Sequence, residues 1–174
     1  MKRCVIDTNV LIAANKAVQY QADDDVSKYP ALIGNSVSTL YNIKKKGVYV
    51  VLDMDDEIFN EYSHYLSFSG QPGVGDIFFK WLSDHRWSFP DSERVKIHKS
   101  ENGYKEFPHE MKQMNIDPDD KKFFAVSNAH PSKPKIFEAT DSKWWKWKDA
   151  AKKCGIIIEF MDEKYMRDHN REMR

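Results

Sequence analysis

Cys4-Val5-Ile6-Asp7-Thr8-Asn9-Val10-Leu11-Ile12-Ala13-Ala14 sets two apolar runs on either side of one polar triplet. The first run is strand-like and brief. Asp7-Thr8-Asn9 breaks it, and the second run reads as a helix that begins just after a capping residue. A strand ending on a carboxylate and passing at once into a helix is how an α/β chain starts, so the rest of the sequence is read for the same alternation.

Residues 19 to 35 carry Asp23-Asp24-Asp25, Pro30 and Gly34, a composition suited to a surface excursion. Asn35-Ser36 can cap a helix with Val37, Leu40 and Tyr41 on one face, ended by Gly47. Val48-Tyr49-Val50-Val51-Leu52 reads as one continuous strand buried on both faces. Asp53, Asp55, Asp56 and Glu57 gather where the next helix dipole favours negative charge; Ile58, Phe59, Tyr62, Tyr65 and Leu66 come next, up to Gly70-Gln71-Pro72-Gly73. Ile77, Phe78, Trp81, Leu82 and His85 mark another amphipathic helix. Arg94 to His98 alternates like a half-exposed edge strand, and 99 to 116 has no clear period.

Asp117-Pro118 opens a helix through Phe123, Phe124, Val126 and Ala129. Lys135 to Ala139 is a strand, and Asp141-Ser142 caps a tryptophan-rich helix that ends at Cys154-Gly155. Ile156 to Phe160 reads as the best-buried strand of the chain, and 161–174 as a charged helix or tail. The expected fold class is therefore α/β, one domain with a mostly parallel central sheet covered by helices on both faces.

Composition agrees. The 174 residues suit one domain that buries about 70% of its extended surface without a metal or disulfide staple. Apolar residues at 41% and charged residues at 31% exclude wholesale disorder and fibrous repeats. Lysine plus arginine equals aspartate plus glutamate, 27 each, so a nucleic-acid partner needs a local patch or metal ions. Cys4 and Cys154 fit no metal or redox spacing, and no apolar run is long enough for a membrane helix. Asp7 and Asn9 interrupt the apolar run after Lys2-Arg3, so no signal peptide is read. The expected setting is reducing and cytoplasmic, with no membrane partner.

The carboxylates carry the functional reading. Asp7 ends the first strand and Asp141 lies just past the strand at 135–139, and in a parallel sheet both ends lie along the edge where ligands bind. Glu61 lies in the first turns of the helix after the second strand, and Asp120 in the first turn of its own. Taken singly, Glu61 is an ordinary helix-surface acid, Asp120 a helix-start acid and Asp141 an N-cap. Their order and strand-end placement make them a set. Two carboxylates about 4 Å apart repel by roughly 4 kcal/mol at an effective dielectric near 20, so a cluster needs protons or cations. Oxygen-only donors suit Mg²⁺ or Mn²⁺, with Asn9 able to orient a ligand or water, and the chemistry suggested is metal-assisted phosphodiester hydrolysis.

Val5-Ile6-Asp7-Thr8-Asn9-Val10-Leu11-Ile12, Asn60-Glu61-Tyr62, Asp117 to Phe124 and Glu138-Ala139-Thr140-Asp141, in that order, resemble the acidic motifs of the PIN-domain ribonuclease family, which includes the toxin nucleases of toxin–antitoxin pairs. The likeness spans about residues 3 to 160. It departs from the family at Ala139, where threonine is common, and in the longer segments 19–35 and 68–116. The resemblance implies a PIN-like nuclease domain over 1–160. It implies that Asp7, Glu61, Asp120 and Asp141 hold Mg²⁺ or Mn²⁺, that single-stranded RNA is the substrate, and that 5′-phosphate and 3′-hydroxyl ends are the products. Other partners on this reading are an antitoxin or regulatory protein over the cleft, and a second copy of the chain.

Thr8, Thr140, Lys143, Trp145 and Lys146 are the candidate substrate contacts, with Trp145 off the apolar stripe of Trp144, Trp147, Ala151 and Cys154 and so open to stack a base. Two other readings stand beside this one. A catalytically silent PIN-like scaffold would bind RNA or protein without metal. A haloacid-dehalogenase-like phosphatase would need a second carboxylate where Asn9 stands.

Overall fold

A computed structural model describes residues 2–19 and 25–172, so Asp23 and Asp24 of the expected excursion lie outside it. Strand β1 (Arg3–Ile6) lies between β2 (Tyr49–Val50) and β7 (Lys135–Glu138), with β8 (Ile158–Phe160) beyond β7, and all neighbours in this sheet run parallel. Val5, Ile6 and Ile136 are fully buried, which is why these short segments read as apolar runs.

Helix α1 (Thr8–Asn15) leaves β1 through Asp7, whose carboxylate accepts the Asn9 N–H at 2.8 Å. It packs with α2 (Pro30–Lys46) and α4 (Val74–His85). The approach of α4 to α1 is close: a Cβ at Gly75 would stand 2.1 Å from the Leu11 carbonyl oxygen. Helices α5 (Pro118–Ala129) and α6 (Trp144–Lys153) form another group, with Phe124 stacked on Trp144 at 4.7 Å between ring centroids. Trp144, Trp147, Ala151 and Cys154 are all buried, as their spacing predicts. Helix α7 (Glu163–Glu172) closes the described chain, and Met166 on it is fully buried.

Three sequence expectations are corrected. Helix α2 begins at Pro30, five residues before Asn35, because proline at the first helical position starts it. Ser36 lies inside that helix and donates to the Leu32 carbonyl, while Gly47 ends the helix in the left-handed region at φ 59°, as expected.

The second correction is the run Val48 to Leu52, which is two strands. Residues 49–50 pair with β1; Leu52–Asp53 (β3) pair with Arg94–Val95 (β4) in a separate parallel ribbon. The Cys4 carbonyl accepts from Val51, but two residues later the Ile6 carbonyl, on the same edge of β1, accepts the Tyr62 hydroxyl at 2.5 Å. That side chain satisfies an acceptor that a continuing strand would have taken, and so the strand can turn away.

Third, β8 is an edge strand. Ile156 is buried, but Ile157 is 48% exposed and Ile158 to Phe160 are half-buried or exposed. An apolar run of five residues does not distinguish a central strand from an edge strand. The ribbon β5 (Lys99–Ser100) and β6 (Gly103–Tyr104) forms an antiparallel arm within the stretch that had no readable period.

Candidate functional site

Asp7 is 2% exposed and is held on both sides by backbone: its own N–H donates to Phe137 on β7, and its carboxylate caps α1. At the end of β7, Glu138 is fully buried. Its Oε1 accepts the N–H groups of Thr140 and Asp141, each at 2.9 Å, while its Oε2 is buried with no donor. The Asp7 and Glu138 carboxyl groups lie within hydrogen-bonding reach of one another.

Burial, reinforced by Asp7, pushes Glu138 well above the usual carboxylate range. Asp7 rises to about 6, again chiefly through burial, with the nearby Glu61 and Asp141 adding repulsion and hydrogen bonds from Glu138 and Asn9 opposing. Asp120, in the first turn of α5, rises to about 7 through burial and the negative charges of Asp7, Asp141 and Asp117, with Lys143 opposing. Asp7, Asp120, Glu138 and Asp141 therefore lie near enough at the carboxyl end of the sheet for their charges to act on one another. Asp141 accepts the Lys143 N–H at 3.0 Å and so turns the chain into α6.

Glu61 has charge and hydrogen-bond partners of its own. On α3 (Glu57–Tyr65), it accepts the Thr8 hydroxyl and forms an ion pair with Lys122. It lies near enough to Asp7 to repel it, but its own charge is met by a buried ammonium. Thr8, 3% exposed, thus has its hydroxyl bonded to Glu61. Among the described residues, no three Asp, Glu, His or Cys side chains stand ready-made around a single point. The acids at this edge offer oxygen donors only, the chemistry a hard divalent cation prefers.

The remaining expected contacts are spread out. Asn9 supplies its backbone N–H to Asp7, and the half-buried Thr140 supplies its own to Glu138. Lys143 is paired with Asp117 at 2.7 Å. Trp145 does not present a free ring: Phe160 packs at 5.3 Å and the Lys148 ammonium sits 3.3 Å from its centroid. Lys146 is exposed on α6.

Two residues, Glu138 beside Asp7 and Lys122 beside Glu61, carried no role in the sequence reading. Glu138 stood within the quoted fourth motif, but a strand-end acid three residues before another acid gives no local sign of being buried. Lys122 follows Asp120 by two and precedes Phe123-Phe124, and a lysine among apolar helical positions was the available signal. Beside Glu61 and Lys122 opens a cavity of 570 Å³, also lined by Asp55, Glu57, Lys99 and Asp119.

In comparisons with protein-family models, curated proteins and solved structures, nothing matches the chain.

Proposed function

We propose that the chain is a divalent-metal-dependent endoribonuclease acting on single-stranded RNA. The observation that carries this reading is the grouping of Asp7, Asp120, Glu138 and Asp141 at the carboxyl end of the sheet, Asp7 and Glu138 buried and Asp120 and Asp141 half-buried, with Asp7 at about 6 and Asp120 at about 7. Asp7, Asp120 and Glu138, raised chiefly by burial and further by neighbouring negative charge, are destabilising as a purely structural feature, and a bound cation would offset the penalty. Mg²⁺ or Mn²⁺ fits the donor set, with Asp7, Asp120, Asp141 and Glu138 as its holders, and when bound would supply charge that acidifies water and stabilises a leaving oxygen.

The chain's own groups prepare the site. Asn9 and Phe137 fix Asp7 through backbone hydrogen bonds, and Glu138 fixes the turn that carries Asp141. Lys122 holds Glu61 through its charge at the side of the cleft, where a phosphate would meet an ammonium as well as a carboxylate. Among the described residues no helix is long and apolar enough to cross a membrane, and both cysteines are buried free thiols; a reducing, cytoplasmic setting goes with the proposal.

The Glu61–Lys122 pair favours a second reading, a metal-free scaffold of the same fold that binds RNA or protein. The deciding experiment incubates purified protein with single-stranded RNA and DNA in Mg²⁺, Mn²⁺ or chelator, beside Asp7→Asn and Asp120→Asn. Metal-dependent RNA cleavage lost in both variants is expected. No cleavage and no saturable Mn²⁺ binding by calorimetry would leave the scaffold, and equal cleavage by wild type and variants would refute the site.

A further inference from the structure

With no net charge on the chain, a hold on a polyanion must come from a local excess of cations. Several cations are tied to carboxylates: Lys96 to Asp55, Lys99 to Glu57, Lys122 to Glu61, Lys143 to Asp117, and Arg86 to Asp56. Lys105, Lys112 and Lys121 are different. They line a cavity of 710 Å³ on the β5–β6 arm, together with Asn102 and Tyr104, and Glu101 is its acidic lining residue. Among the described residues none of these three ammonium groups forms an ion pair with a carboxylate.

The cavity lies against α5, the helix that carries Asp120. Lys121 directly follows Asp120 on α5, and its Nζ is held by the Asn102 carbonyl at 2.9 Å. The arm is fastened by Lys105 N–H to the His98 carbonyl, by the Asn128 side-chain amide to the Glu106 carbonyl, and by the Tyr104 hydroxyl to Glu57. An anion seated there is therefore held at a set position relative to the helix that carries Asp120. The cavity beside Glu61 bears Asp55, Glu57 and Asp119 as well, which repel phosphate. Charge leaves the lysine side as the favourable course for a polyanionic strand.

We propose that the Lys105–Lys112–Lys121 cavity is a subsite for backbone phosphates of a single-stranded RNA, adjoining the phosphate that meets Asp7 and Asp120. The subsite rests on the nuclease reading for its substrate, and its test separates the two. The probe is a fluorescein-labelled ten-nucleotide oligouridylate, with Ca²⁺ in place of Mn²⁺, followed by anisotropy between 50 and 200 mM salt. Lys105→Ala/Lys112→Ala/Lys121→Ala is expected to weaken binding by about tenfold or more, and to lower the slope of log K against log salt by about 2, from three contacts at about 0.7 each. Lys105→Glu/Lys112→Glu, confined to exposed side chains outside the helices and strands of the core, is expected to weaken binding at least as much without disturbing α5. Lys152→Ala/Lys153→Ala/Lys164→Ala, on other exposed helical positions, is expected to leave affinity and slope unchanged. Unchanged affinity and slope in both arm variants would overturn the subsite, even where wild type cleaves RNA with Mn²⁺. Lysine-dependent binding by a wild type that cleaves no RNA would support the subsite and overturn the nuclease reading. No binding of the decamer by wild type would overturn the subsite outright.

Discussion

Replacing Asp120 by asparagine should make the metal-free protein more stable at neutral pH, and the gain should vanish in acid. Asp120 rises from an ordinary 3.8 to about 7 in the folded chain, mainly through burial and then through Asp7, Asp141 and Asp117. A rise of that size makes the ionised form about 4 kcal/mol less favourable, at 1.36 kcal/mol for each tenfold change. Asp120 is half-buried, so solvent screening brings the expected stability effect down to about 2 kcal/mol.

The sign comes from proton counting. Between about pH 4 and 7 the folded chain keeps a proton on Asp120 that the unfolded chain has released, so stability falls as pH rises through that window. Asparagine resembles the protonated acid and titrates in neither state. Urea denaturation in chelator, read by tryptophan fluorescence, should therefore show Asp120→Asn and wild type equal near pH 4 and separated by about 2 kcal/mol at pH 8. Saturating Mn²⁺ should reverse the order, because a ligand at a hundred times its Kd stabilises the folded state by about 2.7 kcal/mol and the variant lacks one of its holders. An Asp120→Asn protein no more stable than wild type at pH 8 in chelator, or a gap that does not change with pH, would refute the idea that the cleft holds its acids under electrostatic strain.

The same geometry sets other outcomes. Glu138→Gln keeps an acceptor for the Thr140 and Asp141 N–H groups and should fold normally, with RNA cleavage reduced at least tenfold; Glu138→Ala should also lose about 2 kcal/mol, read by urea titration, because those two donors lose their partner. Lys122→Met strips Glu61 of its buried counter-charge and should cost about 3 kcal/mol, with Glu61→Gln added to it recovering part of the loss in a double-mutant cycle. Gly75→Ala should cost more than about 2 kcal/mol by thermal or urea unfolding, since its methyl would sit 2.1 Å from the Leu11 carbonyl oxygen and push α4 off α1.

Much of the fold could be read from local pattern. The strand–Asp7–helix junction, Gly47 as a helix end, Asp117-Pro118 as a helix start and the buried stripe of Trp144, Trp147, Ala151 and Cys154 all stem from capping chemistry or periodicity. These are properties of a few consecutive residues, and the sequence states them directly. The order of acids along strand ends likewise pointed to one edge of the sheet, and Asp7, Asp120 and Asp141 do feel one another there.

Neighbour relations across the chain are another matter. That Val48 to Leu52 divides between the central sheet and the β3–β4 ribbon depends on Tyr62 taking the Ile6 carbonyl, and that Ile158 to Phe160 forms an edge depends on no strand among the described residues pairing beyond it. That Glu138 touches Asp7 while Glu61 is claimed by Lys122 depends on how β7 and α5 settle beside β1 and α3. Apolar spacing specifies which face of an element turns inward; it carries no label for the element that face will meet. Charge pairing in the cleft belongs to the tertiary structure because only packing removes water from these groups and thereby decides which carboxylate keeps a proton and which is given a cation.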